Sequence, residues 1–175
     1  MENFIKLMLA FGIGLLLVLL AMPKVIPFLH KMKFGQVERE EGLESHKKKG
    51  GTPTMGGVVF VLAAVIAAFV VNYKNITNPN LILITIVLVG YSLIGFIDDA
   101  LIILKHQNEG LKAWQKFLMQ AILAVGCYLY LENFVPGFTT EVTIPIVKVN
   151  IDFGWFYAVL VFIMFTGESN GVNLS

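Results

Sequence analysis

The 175-residue chain is 57% hydrophobic and only 14% charged, with a mean hydropathy of +0.76. Soluble domains are about 45 to 50% apolar, so this composition excludes a soluble globular protein and indicates an integral membrane protein. The net charge of +1 does not point to nucleic acid as a partner, and the single cysteine, Cys127, excludes an internal disulfide.

Five apolar segments predict membrane helices, because a span needs about 20 apolar residues. The first segment is longer than the apolar core of a signal peptide and is followed by Met22-Pro23-Lys24, which offers no small-residue cleavage site. The fourth and fifth are short for spanning unless their flanks extend the helices. The predicted helices cover about residues 4–22, 55–73, 81–97, 117–131 and 155–168.

Between the last two segments, residues 140–153 alternate apolar and polar side chains around Pro145. Alternation with period two, broken by a proline, is typical of a β-hairpin. The predicted fold class is therefore an all-α polytopic membrane protein of about five helices, with a small hairpin outside the lipid. The whole chain, residues 1–175, is predicted to form one membrane domain.

The distribution of lysine and arginine predicts the orientation. Most basic residues fall in the loops 23–54 and 98–116, which alternate loop assignment places on one side. Cytoplasmic loops carry the excess of basic residues, so these two loops are predicted to be cytoplasmic and the N-terminus and the hairpin to lie outside.

Asp98 and Asp99 follow the apolar run 81–97 directly. Carboxylates at a membrane edge are costly to desolvate, and such a pair usually holds a metal ion or moves a proton. The pair is therefore where we expect the chemistry, on the cytoplasmic side.

A glycine-rich string on the same side follows three lysines, in residues 45–57 (SHKKKGGTPTMGG). Glycines let the backbone approach a ligand, and exposed amides before a helix bind phosphate oxygens. The string is not a Walker A loop, because Gly57 stands where that motif has lysine. A flexible loop whose lysines only follow membrane topology is an equally good interpretation of the composition.

Asn170 and Asn173 are three residues apart, on one face if helical, and topology places them on the cytoplasmic side as well. Asparagine amides bind sugars, bases or metal-bound water, although helix capping is their commoner use. Three polar strings from separate segments are thus predicted to meet at one membrane face.

In order and spacing, three strings resemble phospho-N-acetylmuramoyl-pentapeptide transferase, translocase I of bacterial peptidoglycan synthesis. They are residues 49–57 (KGGTPTMGG), residues 95–99 (GFIDD) and residues 169–174 (SNGVNL). The resemblance covers essentially the whole chain and implies the first half of a ten-helix glycosyl-phosphate transferase fold in the bacterial plasma membrane.

The resemblance also implies the reaction. Such enzymes use Mg²⁺ to transfer phospho-N-acetylmuramoyl-pentapeptide from its UDP-linked form to undecaprenyl phosphate, giving lipid I and UMP. The bilayer is thus a further partner, and a homodimer is left open. By matching motif positions, the resemblance assigns catalysis and metal binding to Asp98 and Asp99. It assigns substrate binding to Lys49, Thr52, Thr54, Lys116, Asn170 and Asn173.

The chain departs from the family pattern in a few places. Ile102 stands where many members have lysine, and Gly171 and Ser175 replace alanine and threonine. The family motif continues into an aspartate after position 175, so we expect the 175-residue chain alone to be inactive. Two alternatives stay open: a related polyprenyl-phosphate N-acetylglucosamine-1-phosphate transferase, and a non-catalytic truncated membrane protein.

Overall fold

The computed structural model describes residues 2–31, 55–105, 110–145 and 148–174, with side chains in the last range up to Asn170. These residues form helices and one two-stranded sheet, which confirms the predicted class of a mostly helical membrane protein with a small hairpin. The elements are α1 (Glu2–Lys31), α2 (Gly57–Val71), α3 (Pro79–Lys105), α4 (Ala113–Phe134), β1 (Glu141–Ile144), β2 (Val149–Asp152) and α5 (Tyr157–Leu174).

Three of the described helices, α1, α3 and α4, are long and apolar enough to cross a membrane. Helix α2 is apolar along its whole length but has only 15 residues. At 1.5 Å per residue it covers about 22 Å, less than the roughly 30 Å of a bilayer core. Membrane spans at 55–73 and 155–168 remain predictions.

Two helices are longer than the apolar segments that predicted them. Helix α1 passes through Pro23 and Pro27 and ends at Lys31. Proline removes a backbone donor and normally interrupts a helix, but membrane helices tolerate it. Helix α3 continues beyond Asp99 to Lys105, because the residues between them are apolar and include no glycine or proline. The aspartate pair therefore lies within the helix and not at the start of the predicted loop 98–116.

The chain forms two compact units. The first unit comprises Met1–Ile76 and Gly95–Leu111, and the second comprises Thr77–Ile94 and Lys112–Ser175. Helix α3 contributes its last part to the first unit and its first part to the second.

In the first unit, α1 and α2 pack antiparallel through small side chains. Ala63 and Ala67 of α2 are almost completely buried, and a Cβ atom built on Gly14 of α1 would lie 3.9 Å from that of Ala67. Small residues allow helix backbones to approach closely in a membrane, where no hydrophobic effect drives association. Beside this contact lies an apolar groove of about 430 Å³.

In the second unit, aromatic rings join α4 to α5. Phe117, near the start of α4, meets Phe162 edge to face with ring centroids 4.9 Å apart. Near the other end of α4, the ring centroid of Tyr128 lies 6.4 Å from that of Tyr157, the first residue of α5. The two helices are therefore antiparallel, and the start of α4 and the end of α5 lie at the same end of the pair.

The hairpin is short and has two distinct faces. Val142 pairs with Ile151 and Ile144 with Val149 on the apolar face. The polar face carries Glu141, Thr143, Asn150 and Asp152. Asp152 accepts a hydrogen bond from the Thr140 hydroxyl and another from the Gly154 backbone N–H at 2.9 Å. These two bonds, that from Thr140 first, lower the pKa of the exposed Asp152 carboxyl from its ordinary value of 3.8.

Candidate active site

Asp98 is fixed by a contact from a segment that returns to the helix. The Leu111 backbone N–H donates a hydrogen bond of 2.8 Å to Asp98 Oδ1, in a partly buried position. Asp98 lies about two helical turns before the end of α3 at Lys105, so Leu111 lies beside these turns and not beyond the end of the helix. The bond holds the carboxylate in one orientation at the end of an apolar helix.

Asp99 is also partly buried but projects in a different direction. Adjacent residues on an α-helix are about 100° apart around the axis, so their side chains do not face each other. The two aspartates are therefore not equivalent. Only Asp98 receives the Leu111 amide, whereas Asp99 presents its carboxylate to another sector around the helix.

Gly110 and Leu111 are the part of this site that the sequence did not reveal. The signal that could have indicated them is a glycine just before helix α4, since glycine is common where backbone must approach another group closely. No periodic pattern links residue 111 to residue 98, so the hydrogen bond itself had no sequence signal.

Lys116 and Asn170 lie at the same end of the α4–α5 pair in the second unit. Lys116 is in the first turn of α4, and Asn170 is exposed in the last part of α5. The Gln115 side chain accepts a hydrogen bond of 2.9 Å from the Lys112 backbone N–H and so caps the start of α4. The positive end of the helix dipole disfavours a cation at Lys116 and favours an anion beside it.

Most of the other predicted site residues lie outside the part of the chain that the structure describes. Lys49, Thr52 and Thr54 lie outside the described residues. Asn173 is in the last turn of α5, and its side chain is likewise outside the described part. The first described residue after the glycine-rich string, Met55, has a φ of 69°. A non-glycine residue in this left-handed region stores backbone strain, which is commonest at functional sites.

The described residues include no group of three or more His, Cys, Asp or Glu side chains arranged to hold a metal ion. A magnesium site does not require such a group, because Mg²⁺ commonly binds through one or two carboxylates together with substrate phosphates and water. The donor set of Asp98 and Asp99 fits that mode.

Comparison with known proteins shows the family of the chain. The sequence model of glycosyl transferase family 4 matches residues 81–175, which include α3 with its aspartate pair, α4, the hairpin and α5. The chain belongs to glycosyl transferase family 4. Phosphotransfer by this family suits a divalent metal ion. Residues 49–61 match a second model, the phospho-N-acetylmuramoyl-pentapeptide-transferase signature 1. That match includes Lys49, Thr52 and Thr54.

Curated relatives carry the name phospho-N-acetylmuramoyl-pentapeptide-transferase. The protein from Halalkalibacterium halodurans is 42% identical over 170 residues, which are 97% of this chain and 52% of the relative. The Bacillus subtilis protein is 42% identical over 163 residues, 93% of this chain and 50% of the relative. The Staphylococcus epidermidis protein is 42% identical over 165 residues, which are 93% of this chain and 51% of the relative. The chain thus spans about half the length of the curated relatives it matches.

Proposed function

We propose that this chain forms part of an enzyme that transfers phospho-N-acetylmuramoyl-pentapeptide from its UDP-linked form to undecaprenyl phosphate, giving lipid I and UMP. The observation that carries the proposal is the Asp98 carboxylate, held by the Leu111 amide next to Asp99 near the end of an apolar helix. The names of the relatives support the choice of reaction.

The reaction exchanges one phosphoric anhydride for another. A phosphate oxygen of the lipid forms a bond to the phosphorus attached to the sugar, directly or after a covalent enzyme intermediate, and the bond from that phosphorus to the UMP oxygen breaks. UMP leaves with the electron pair of that bond. Because both reactants are anions, the site must reduce their repulsion and hold them in line.

The aspartates act jointly in this proposal. Asp98, oriented by Leu111, faces the reacting phosphates, and Asp99 adds a second carboxylate from a different sector of the helix. The two would hold Mg²⁺, which would neutralise charge on the phosphates. A fixed carboxylate needs no reorientation during the reaction, so its position contributes to the rate.

The remaining predicted residues would bind the substrates. Lys116, in the first turn of α4, and the helix N-terminus beside it provide positive potential for a phosphate group. Lys49, Thr52 and Thr54 would add a lysine and hydroxyl groups from the signature segment. Asn170 and Asn173 would contact the uridine, the sugar or metal-bound water. The site would face the cytoplasm of a bacterial plasma membrane, with the N-terminus outside, as the distribution of basic residues indicates.

A fusion protein tests this proposal, because the relatives are about twice as long as the chain. The chain replaces the matching first half of the Bacillus subtilis protein, and lipid I and UMP are measured in detergent with Mg²⁺ and both substrates. We expect Asp98→Asn and Asp99→Asn each to lower turnover at least about a hundredfold, because a carboxylate that would hold Mg²⁺ beside the phosphates is lost. The amide side chain introduced by Asp98→Asn keeps an oxygen that can accept the Leu111 hydrogen bond.

The matched control is Asp152→Asn, which removes one carboxylate from the hairpin and should leave turnover unchanged. Membrane insertion of all variants is checked by their yield in the membrane fraction. Near-normal rates in both Asp98→Asn and Asp99→Asn would remove this pair from the active site. Competition by UDP-N-acetylglucosamine in the same assay separates the proposed enzyme from the related N-acetylglucosamine-phosphate transferases.

A further inference from the structure

Gly110 lies so close to Asp98 that no larger residue fits between them. A Cβ atom built on Gly110 would be 2.5 Å from Asp98 Oδ1 and 2.7 Å from the Asp98 backbone oxygen. Cβ contacts shorter than 3.0 Å essentially never occur in proteins. Rotating the Asp98 side chain would relieve only the first of these contacts, because the second is to the backbone of a helix. A side chain at position 110 must therefore move residues 110 and 111 away from α3.

The same close approach delivers the hydrogen bond to the carboxylate. Leu111 follows Gly110 directly, and its N–H donates to Asp98 Oδ1 at 2.8 Å. Displacement of Gly110 by even about 1 Å would stretch this bond beyond the usual range of roughly 2.7–3.2 Å for N–H···O hydrogen bonds. The bond to Asp98 thus depends on the absence of a side chain at Gly110, the residue before the donor.

We propose that Gly110 is a positioning residue for the Asp98 carboxylate. It lets the segment before α4 pack against α3 and orient Asp98 through the Leu111 amide for the transfer reaction. The inference rests on the proposed function of Asp98, and it adds a requirement at a residue that touches no reacting atom. Substitution of Gly110 should misplace the carboxylate while leaving the substrate-binding residues in place.

Two glycines of helix α3 serve as matched controls. Gly95 is one helical turn before Asp98, and a Cβ atom there would meet nothing within 4 Å. At Gly90, a Cβ atom would lie 2.6 Å from a methyl carbon of the flexible Leu123 side chain and far along the helix from the aspartates. Gly95→Ala therefore reports the effect of alanine in α3 alone, and Gly90→Ala reports a steric contact that does not involve Asp98.

The geometric part of the proposal is measured on the 175-residue chain in detergent, without substrates. Hydrogen exchange at the Leu111 amide should become at least about tenfold faster in Gly110→Ala and in Asp98→Ala, because a hydrogen bond to a carboxylate is lost in both. Gly95→Ala and Asp99→Ala should leave this amide unchanged. Unchanged exchange in Gly110→Ala would overturn the inference, whatever the activity of the enzyme.

The catalytic part is measured in the fusion protein. Gly110→Ala should lower kcat about tenfold or more with little change in KM for either substrate, because a carboxylate displaced by about 1 Å is poorly placed for the reaction. Gly90→Ala and Gly95→Ala should retain kcat. A general structural defect would instead lower the amount of folded protein in Gly110→Ala and Gly90→Ala alike, without a selective loss of kcat, and that result would overturn the positioning role.

The outcomes also separate this inference from the proposed function. If Asp98→Asn abolishes turnover while Gly110→Ala has normal kcat despite faster exchange at Leu111, the function stands and the positioning role is wrong. If Asp98→Asn and Asp99→Asn are both active, the proposed function fails, although the exchange data can still confirm the contact between Gly110 and Asp98.

Discussion

Two aspartates of this chain are held in the same way but in very different surroundings. Asp98 accepts a backbone N–H from Leu111 across a separation of 13 residues, in a partly buried position near the end of α3. Asp152, whose carboxyl is fully exposed on the hairpin, accepts a hydrogen bond from the backbone N–H of Gly154, two residues away. The hairpin bond is local and completes a turn, whereas the bond to Asp98 joins two segments that sequence alone does not bring together.

The difference shows which carboxylate is suited to chemistry. An exposed carboxylate that caps a turn stabilises the turn, and its other lone pairs accept hydrogen bonds from water. A carboxylate near the end of an apolar helix gives up some of its hydration, so it attracts a bound metal ion more strongly. Substitutions at Asp98 and Asp152 should therefore differ in their effect on turnover.

The largest difference is expected when each aspartate is lengthened by one methylene group. Asp98→Glu keeps the charge but moves the carboxylate by more than about 1 Å, so turnover of the fusion protein should fall about a hundredfold. Asp152→Glu should leave turnover unchanged, because the hairpin only needs a nearby acceptor. The assay is lipid I formation at saturating substrate. Equal activity of the two variants would mean that the position of the Asp98 carboxylate is not important.

The hairpin and the aspartate pair were predictable from the sequence because their signals are local. Alternation around Pro145 indicated the strands, and the end of an apolar run indicated Asp98. The sequence prediction ended this helix at Ile97 because two charges follow, but the apolar residues before Lys105 include no glycine or proline, and α3 continues through them. The roles of Lys49, Thr52 and Thr54 stay predictions, supported by the signature match that covers them.

The contact between Leu111 and Asp98 had no such signal, for a physical reason. It depends on where Gly110 and Leu111 lie beside α3, and the composition of a short connection does not specify that position. A glycine was the one indication of a close approach, but a glycine alone does not indicate one, since a Cβ atom built on Gly126 would meet nothing within 4 Å. Sequence therefore indicated the candidate carboxylate but not the residues that orient it.

Acid should reduce the stability of the hairpin, because protonation of Asp152 weakens the hydrogen bonds that its carboxylate accepts. Because these bonds lower the pKa of Asp152 in the folded hairpin, the stability they provide is fully present above the ordinary value of 3.8. It is lost as the pH falls below that value through the lower pKa of the folded state. Protection of the Gly154 amide, measured by hydrogen exchange relative to its intrinsic rate, should be high at about pH 6 and reduced near about pH 3.

The control for this pH effect is Asp152→Asn. Its side chain has no proton to gain, so the protection of the Gly154 amide should be lower at neutral pH and should not change further on acidification. A wild-type hairpin whose protection is the same at both pH values would contradict the role given to the Thr140 and Gly154 hydrogen bonds.

The smallest effect is expected at the cross-strand pair on the polar face of the hairpin. The Thr143 hydroxyl donates a hydrogen bond of 2.8 Å to Asn150 Oδ1 directly opposite. Thr143→Val keeps the β-branched shape and removes only this bond, so the hairpin should lose about 0.5 kcal/mol of local stability. Exchange of the β1 and β2 amides should become about two- to threefold faster, and turnover of the fusion protein should not change. A loss of turnover here would show that the hairpin is coupled to the active site, and the local role given to Asp152 would then fail as well.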